Sequence, residues 1–159
     1  MEMHRDPVTI IRQNKTLLVG HGDGLGPGDH SYKWIKKVFR HPISIFLFQW
    51  IHPDIGIGIA NKWSNASRNS HGDIYKFHGL EREYLLQYCE QQIAIGNEPD
   101  FFIFGHRHQL FDYKLSNSKS RYVNTGDWLR FCSYAILEHG DVNLCCYEEE
   151  QCAIITNEY

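Results

Sequence analysis

Apolar positions along the chain change their spacing several times, and each change predicts a different element. Two short runs, Val8-Thr9-Ile10-Ile11 and Thr16-Leu17-Leu18-Val19, flank Asn14-Lys15 and predict a hairpin of two strands. From 29 to about 40 the spacing turns helical, with Tyr32, Ile35 and Phe39 on one side, Lys33, Lys36, Lys37 and Arg40 on the other, and Asp29 placed to cap the start. Pro42 opens a second helix in which Ile43, Ile45, Phe46, Leu47, Phe48, Trp50 and Ile51 leave almost no polar face. Such a helix is either buried or lines a greasy pocket, and burial is the commoner outcome. A glycine-containing run from Ile55 continues as helix into the small, polar stretch 64–70. The clearest helix covers 80–95, where Leu80, Tyr84, Leu85, Cys89 and Ile93 face inward, Glu81, Arg82, Glu83, Gln87, Glu90 and Gln91 face out, and Gly96 ends it.

Phe101-Phe102-Ile103-Phe104 is too short for a helix and too apolar for a half-exposed strand, so it predicts a strand covered on both faces. A helix followed by such a strand follows βαβ logic. Beyond residue 108 the pattern becomes short alternating strands near 110–115, 121–125, 132–138, 142–147 and 153–156, separated by turn signals, which predicts an antiparallel set. Neither a repeat nor a Pro/Ser-rich linker interrupts the 159 residues, so one α/β domain is expected over 1–159.

Composition narrows the function classes. A net charge of -3, without a Lys/Arg block, argues against nucleic acid as a partner. The five cysteines contain no Cys-x-x-Cys and no secretory leader precedes them, so reduced, mostly core thiols and a cytoplasmic location are expected. The longest apolar region, 43–60, is broken by Gln49, His52, Pro53 and Asp54 and is no membrane span, although contact with a membrane surface stays open.

Ten histidines raise the expectation of metal or acid-base chemistry, and their spacing locates it. His106 and His108 follow the predicted strand after Gly105. In locally extended backbone, residues two apart point the same way, so their rings would converge just beyond the sheet. A pair of surface loop histidines is the plainer alternative. His21 stands in a comparable place, at the end of the second hairpin strand, ahead of a loop with glycines at 22, 24, 26 and 28. That loop lacks the Lys-Ser/Thr ending of a P-loop, and its alternating glycines do not fit G-x-G-x-x-G. Ligand-bearing residues collect at strand ends in α/β folds, which favours the metal reading.

Leu17-Leu18-Val19-Gly20-His21-Gly22-Asp23, the helical segment after it, Phe104-Gly105-His106-Arg107-His108 and Asn124-Thr125-Gly126-Asp127-Trp128 occur in that order. Together they resemble the second half of a calcineurin-like metallophosphoesterase and, within that superfamily, the UDP-2,3-diacylglucosamine hydrolases of lipid A synthesis, particularly their Bacteroidetes-like forms. The resemblance covers nearly the whole chain. It implies part of a metallophosphoesterase β-sandwich flanked by helices, with a helical apolar cap inserted at 29–70. It also implies a two-metal manganese site, with His21 and His106 on one ion and His108 on the other, and Asp23 orienting His21. The implied reaction splits the pyrophosphate of a UDP-linked acylated glucosamine into UMP and lipid X. Asn61, Lys62, Ser64, Ser67 and Arg68 stand in the cap stretch that holds the sugar phosphate, and Asp29 stands at the cap entry. Peripheral contact with the inner membrane accompanies this reading.

The family's Asp-x-His, Gly-Asp-x-x-Asp and Gly-Asn-His-Asp/Glu motifs do not occur here, and Gly96-Asn97-Glu98-Pro99 reads as a helix stop rather than a ligand motif. Three histidines without a bridging carboxylate hold at most one open metal site, so one manganese ion or none, and weak or absent activity of this chain alone, are expected. Unpaired sheet edges would then favour self-association. A non-catalytic remnant that binds lipid or a partner, and a phosphoesterase of the same fold with another substrate, are the alternatives.

Overall fold

The structure, a computed structural model, describes residues 4–27, 30–70, 80–147 and 154–157. In chain order its elements are β1 (Val8–Arg12), β2 (Lys15–Val19), α1 (His30–Phe39), α2 (Pro42–Gln49), α3 (Pro53–Ser70), a 3-10 turn (Leu80–Arg82), α4 (Tyr84–Ala94), β3 (Phe101–Phe104), β4 (Leu110–Lys114), β5 (Arg121–Thr125), β6 (Ser133–Glu138), β7 (Asp141–Cys146) and β8 (Ile155–Thr156). They fall into two compact units, residues 1–27 with 77–159, and residues 28–76.

In the first unit, six described strands form one sheet in the order β1-β2-β3-β5-β4-β8, and β6 and β7 form a second, antiparallel pair. This mixed α/β arrangement is compatible with the metallophosphoesterase architecture that the resemblance implies. The strands beyond residue 108 are not wholly antiparallel: β5 runs parallel to β3, and β8 parallel to β4. The hairpin β1-β2 is registered Arg12↔Lys15, so its turn is Gln13-Asn14, one residue earlier than the pattern predicts. Both turn residues have positive φ, 49° and 59°, the type I′ geometry whose twist matches the flanking strands.

Side chains alternate across the sheet, and each face has its own cover. Leu18, Phe102, Phe104, Phe111 and Tyr122 meet Leu85, Leu86 and Cys89 of α4. On the opposite face Leu17, Phe101 and Val123 cluster with Val142 of β7, flanked by Ala135, Leu137 and Leu144 of the β6-β7 pair. Arg121 pins that second layer in place: its guanidinium pairs with Asp112 and Asp141, donates to the Val142 carbonyl at 3.0 Å, and lies over the Phe101 ring. Cys89 carries a buried free thiol and Cys132 and Cys145 are also free, whereas Cys146 is disulfide-bonded, a departure from the expectation of reduced thiols throughout.

The predicted helix 80–95 is interrupted at Glu83, which has extended backbone (ψ 93°) between the 3-10 turn and α4. Glu83 is also not on the outside: it is 1% exposed, because its carboxylate has a cation to meet, Arg107. The other end of α4 follows the sequence. Gly96, at φ 84°, donates to the Ile93 carbonyl and Asn97 to that of Gln92, both at 2.9 Å, a Schellman ending that a left-handed glycine permits.

The second unit contains α1, α2 and α3. Within it, α2 is not buried: none of its residues reaches an interior, and Ile43, Phe46 and Leu47 are each more than half exposed. A helix apolar on all sides needs neighbours on all sides, and a unit of three helices does not provide them. Phe39 and Trp63 do meet, with ring centroids 5.3 Å apart. Asp29, the predicted cap of α1, lies outside the described residues, as do the side chains of Ser67 and Arg68. No described helix is long and apolar enough to cross a membrane.

One polar clamp fixes the start of the sheet and gives it a pH signature. Asp100, just ahead of β3, accepts a hydrogen bond from the Thr16 amide at 2.8 Å and from Lys15 Nζ at 3.0 Å. Those bonds, the Thr16 amide first, hold its carboxyl below the ordinary value of 3.8. A carboxylate depressed on folding adds stability above its unfolded pKa and loses it as pH falls through the folded one. Asp100→Asn is therefore expected to lower the urea midpoint at neutral pH, with the deficit shrinking as pH falls below 3.8. A deficit that stays constant down to strongly acid pH would contradict this account.

Candidate functional site

The ladder between β2 and β3 continues past the strands themselves. Gly20 N–H donates to the Ile103 carbonyl and Gly105 N–H to that of His21, both at 3.1 Å. His21 and the start of the second histidine motif are thereby neighbours. His106 Nδ1 lies 3.3 Å from His21 Nε2, with the rings edge to face and centroids 5.0 Å apart.

The route to this convergence differs from the predicted one. His106 and His108 do not sit in extended backbone; their φ values are 66° and 50°, both left-handed. Histidine enters that region more readily than a β-branched residue would, though at a cost. Gly105, expected to supply the bend, has no positive φ, and a Cβ there would meet nothing closer than 3.8 Å. The bend therefore lies on the histidines, and it separates the pair. His106 joins His21, whereas His108 Nδ1 lies 3.3 Å from Asp127 Oδ2.

Asp127 belongs to the run that carries the resemblance but is not among the site residues read from the sequence. It stands in the turn after β5, its side chain largely buried, and its Oδ1 also accepts the Arg130 amide at 2.6 Å. Asn124, fully buried at the end of β5, donates from Nδ2 to the Gly105 carbonyl at 2.7 Å and accepts the Gly126 amide at 3.1 Å. The strand-end run Asn124-Thr125-Gly126-Asp127 was the available signal, since short polar side chains there bond to local backbone.

The third support is the head of α4, and it too was missed. Arg107, between the two histidines, donates from Nε to Glu83 Oε2 at 2.9 Å, and its guanidinium lies 5.4 Å from the centre of the Tyr84 ring. Burial pushes the Glu83 carboxyl above its ordinary value of 4.5, with the charge of Arg107 and its hydrogen bond pulling the other way. The same turn of α4 touches the His21 loop. A Cβ at Gly22 would stand 3.1 Å from Leu85, and one at Gly26 would stand 2.3 Å from the Tyr84 carbonyl oxygen.

Two imidazole nitrogens bound to one tetrahedral cation at about 2.0–2.1 Å each stand about 3.3–3.4 Å apart. The His21–His106 separation fits that spacing, and neutral imidazoles are suitable donors for a divalent transition metal. Among the described residues, no group of three His, Cys, Asp or Glu side chains is arranged to hold a metal, so the three predicted histidines do not form one triad. Asp23 is partly buried in the turn after His21. Asn61 and Lys62 are exposed on α3 and Ser64 is partly buried there, all in the second unit.

No protein-family model matches the chain. Among curated proteins it is similar to a UDP-2,3-diacylglucosamine hydrolase from Porphyromonas gingivalis (strain ATCC BAA-308 / W83), 32% identical over 84% of this chain and 55% of that protein. Proteins of the same name from Azotobacter vinelandii (strain DJ / ATCC BAA-1303) and Blochmanniella pennsylvanica (strain BPEN) are 25% and 26% identical, each over 79% of this chain. The chain spans about half the length of the curated relatives it matches.

The two glycines beside the site differ in what they tolerate. Gly26 combines φ 80° with the Tyr84 backbone carbonyl where a Cβ would go, so Gly26→Ala is expected to cost at least about 2 kcal/mol in urea denaturation. Gly105→Ala meets only ordinary contacts and should stay within about 1 kcal/mol of the parent. Equal stability of the two variants would contradict the packing described.

Proposed function

The chain is a homologue of the UDP-2,3-diacylglucosamine hydrolases along most of its own length, and from that premise we propose that it supplies the histidine side of a metal-dependent hydrolase site acting on a phosphoester or pyrophosphate. The observation that carries the reading is the 3.3 Å approach of His21 Nε2 to His106 Nδ1 at the ends of two adjacent parallel strands. These two nitrogens are the proposed ligands of one divalent cation. A cation held there would supply Lewis-acid polarisation of a phosphoryl oxygen.

In a site completed by further carboxylate donors, His108 would be the ligand of a second ion. If the 3.3 Å approach of its Nδ1 to Asp127 Oδ2 carries the ring proton, its Nε2 keeps the lone pair that a ligand needs. Manganese is the ion implied by the resemblance; zinc and iron suit imidazole as well. The donors that three histidines lack are carboxylates, so we expect this chain by itself to turn over slowly at most.

The proposed substrate is the one in the relatives' name, a UDP-linked diacylglucosamine, with UMP and an acylated glucosamine 1-phosphate as products. Support for acyl chains or a lipid surface as the partner of residues 28–76 comes from the exposed apolar side chains of α2 and α3. A shallow cleft of about 450 Å³ in the same unit is lined by Lys33, Lys36, Lys37, Arg40, His41 and Pro42, mostly through apolar atoms. The same exposure favours the second reading, a lipid- or partner-binding module without catalysis.

Titration with Mn2+ separates the two readings. The full chain is expected to bind Mn2+, with His21→Ala and His106→Ala each weakening it at least about tenfold and His52→Ala, on the exposed surface of the other unit, leaving it unchanged. Absence of binding by the parent chain would overturn the metal reading. Release of UMP from the UDP substrate at a rate matching the relatives would overturn the incomplete-site reading.

A further inference from the structure

Glu83 is expensive where it sits. A carboxylate with 1% exposure has lost its hydration, and its Oε1 has no hydrogen-bond partner among the described residues. The residue occupies the N-cap position of α4, where an acidic side chain normally accepts a first-turn amide, yet the Leu85 amide contributes less to holding its charge than Arg107 does. Its carboxylate is committed to Arg107. Replacing a buried ion pair with apolar side chains is often neutral or stabilising, so folding alone gives weak grounds for this one.

What the pair holds gives better grounds. Arg107 lies between two residues in left-handed backbone, its own amide donates to the Gly105 carbonyl at 2.7 Å, and its side chain ties that turn to Glu83 and Tyr84. The His21 loop rests against the same turn of α4, through Gly22 on Leu85 and Gly26 on the Tyr84 carbonyl. One helix end is thus the common reference for both histidine-bearing loops.

We infer that Glu83 and Arg107 are a positioning pair: by anchoring the 105–108 turn to the head of α4, they set the separation at which His21 and His106 face one another. The cation-binding consequence rests on the ligand roles proposed above; the ring positions do not. Arg107→Lys keeps the charge but loses the planar fork and the face-on contact with Tyr84, so the turn is held less firmly. Glu83→Gln keeps the shape and loses the charge.

The experiment uses the full chain labelled with 15N-histidine, at one fixed pH, with imidazole correlations and Mn2+ titration recorded for the parent, Arg107→Lys and Glu83→Gln. The expected result is displacement of the His21 and His106 ring signals in both variants, with those of exposed His52 and His139 unmoved. Mn2+ binding should weaken about tenfold or more. If Glu83→Gln does not fold, Arg107→Lys carries the test. A pair that served only folding would lower the melting temperature and leave both rings at their parent positions, which would overturn the inference. Displaced rings in a chain that binds no Mn2+ even as the parent would sustain the positioning role and remove the metal reading. Displaced rings with parent-like Mn2+ affinity would overturn the claim that their spacing matters to the cation.

Discussion

The parallel pairing of β2 with β3, registered Leu17↔Phe101 to Val19↔Ile103, is what brings two distant segments to one place. His21 and His106 are 85 positions apart, and the separation closes because the ladder runs on through Gly20 and His21 to Gly105. Register decides more than distance. Leu17 and Phe101 belong to the face covered by β6-β7, and Leu18 and Phe102 to the face covered by α4, so a one-residue slip would invert both packings at once. The two cores therefore police the register, and the register presents the histidines.

Much of this could be read from the sequence because it depends on local chemistry. Phe101-Phe102-Ile103-Phe104 announces a strand covered on both sides, Gly96 a helix end, and a run such as Thr16-Leu17-Leu18-Val19 a strand that delivers His21. The histidines themselves were legible as strand-end residues, and the resemblance read from the order of motifs agrees with the name of the relatives that the chain matches.

The residues that escaped are those whose roles depend on partners far along the chain. Glu83 has the pattern of an exposed helical glutamate until Arg107 draws it inward. Asp127 resembles part of a turn until His108 meets it. The left-handed backbone of His106 and His108 has no sequence marker at all, since Gly105 beside them is the residue that pattern reasoning selects for such a bend. α2 escaped for the opposite reason: its apolar pattern is plain, but whether neighbours exist to cover it depends on how much chain is gathered around it.

The histidine turn also bears on the order in which the chain assembles. Two left-handed residues within three positions disfavour the turn on its own, each by an amount of order 1 kcal/mol or more. The contacts that offset this come from Glu83 at the head of α4 and from Asn124 and Asp127 beyond β5. Within the turn the Arg107 amide bonds back to the Gly105 carbonyl, but the other contacts come from distant segments, so the arrangement is complete only once sheet and helix are in place. A peptide excised as residues 100–109 would keep both imidazoles and lose the separate neighbours, His21 and Asp127, that each one meets.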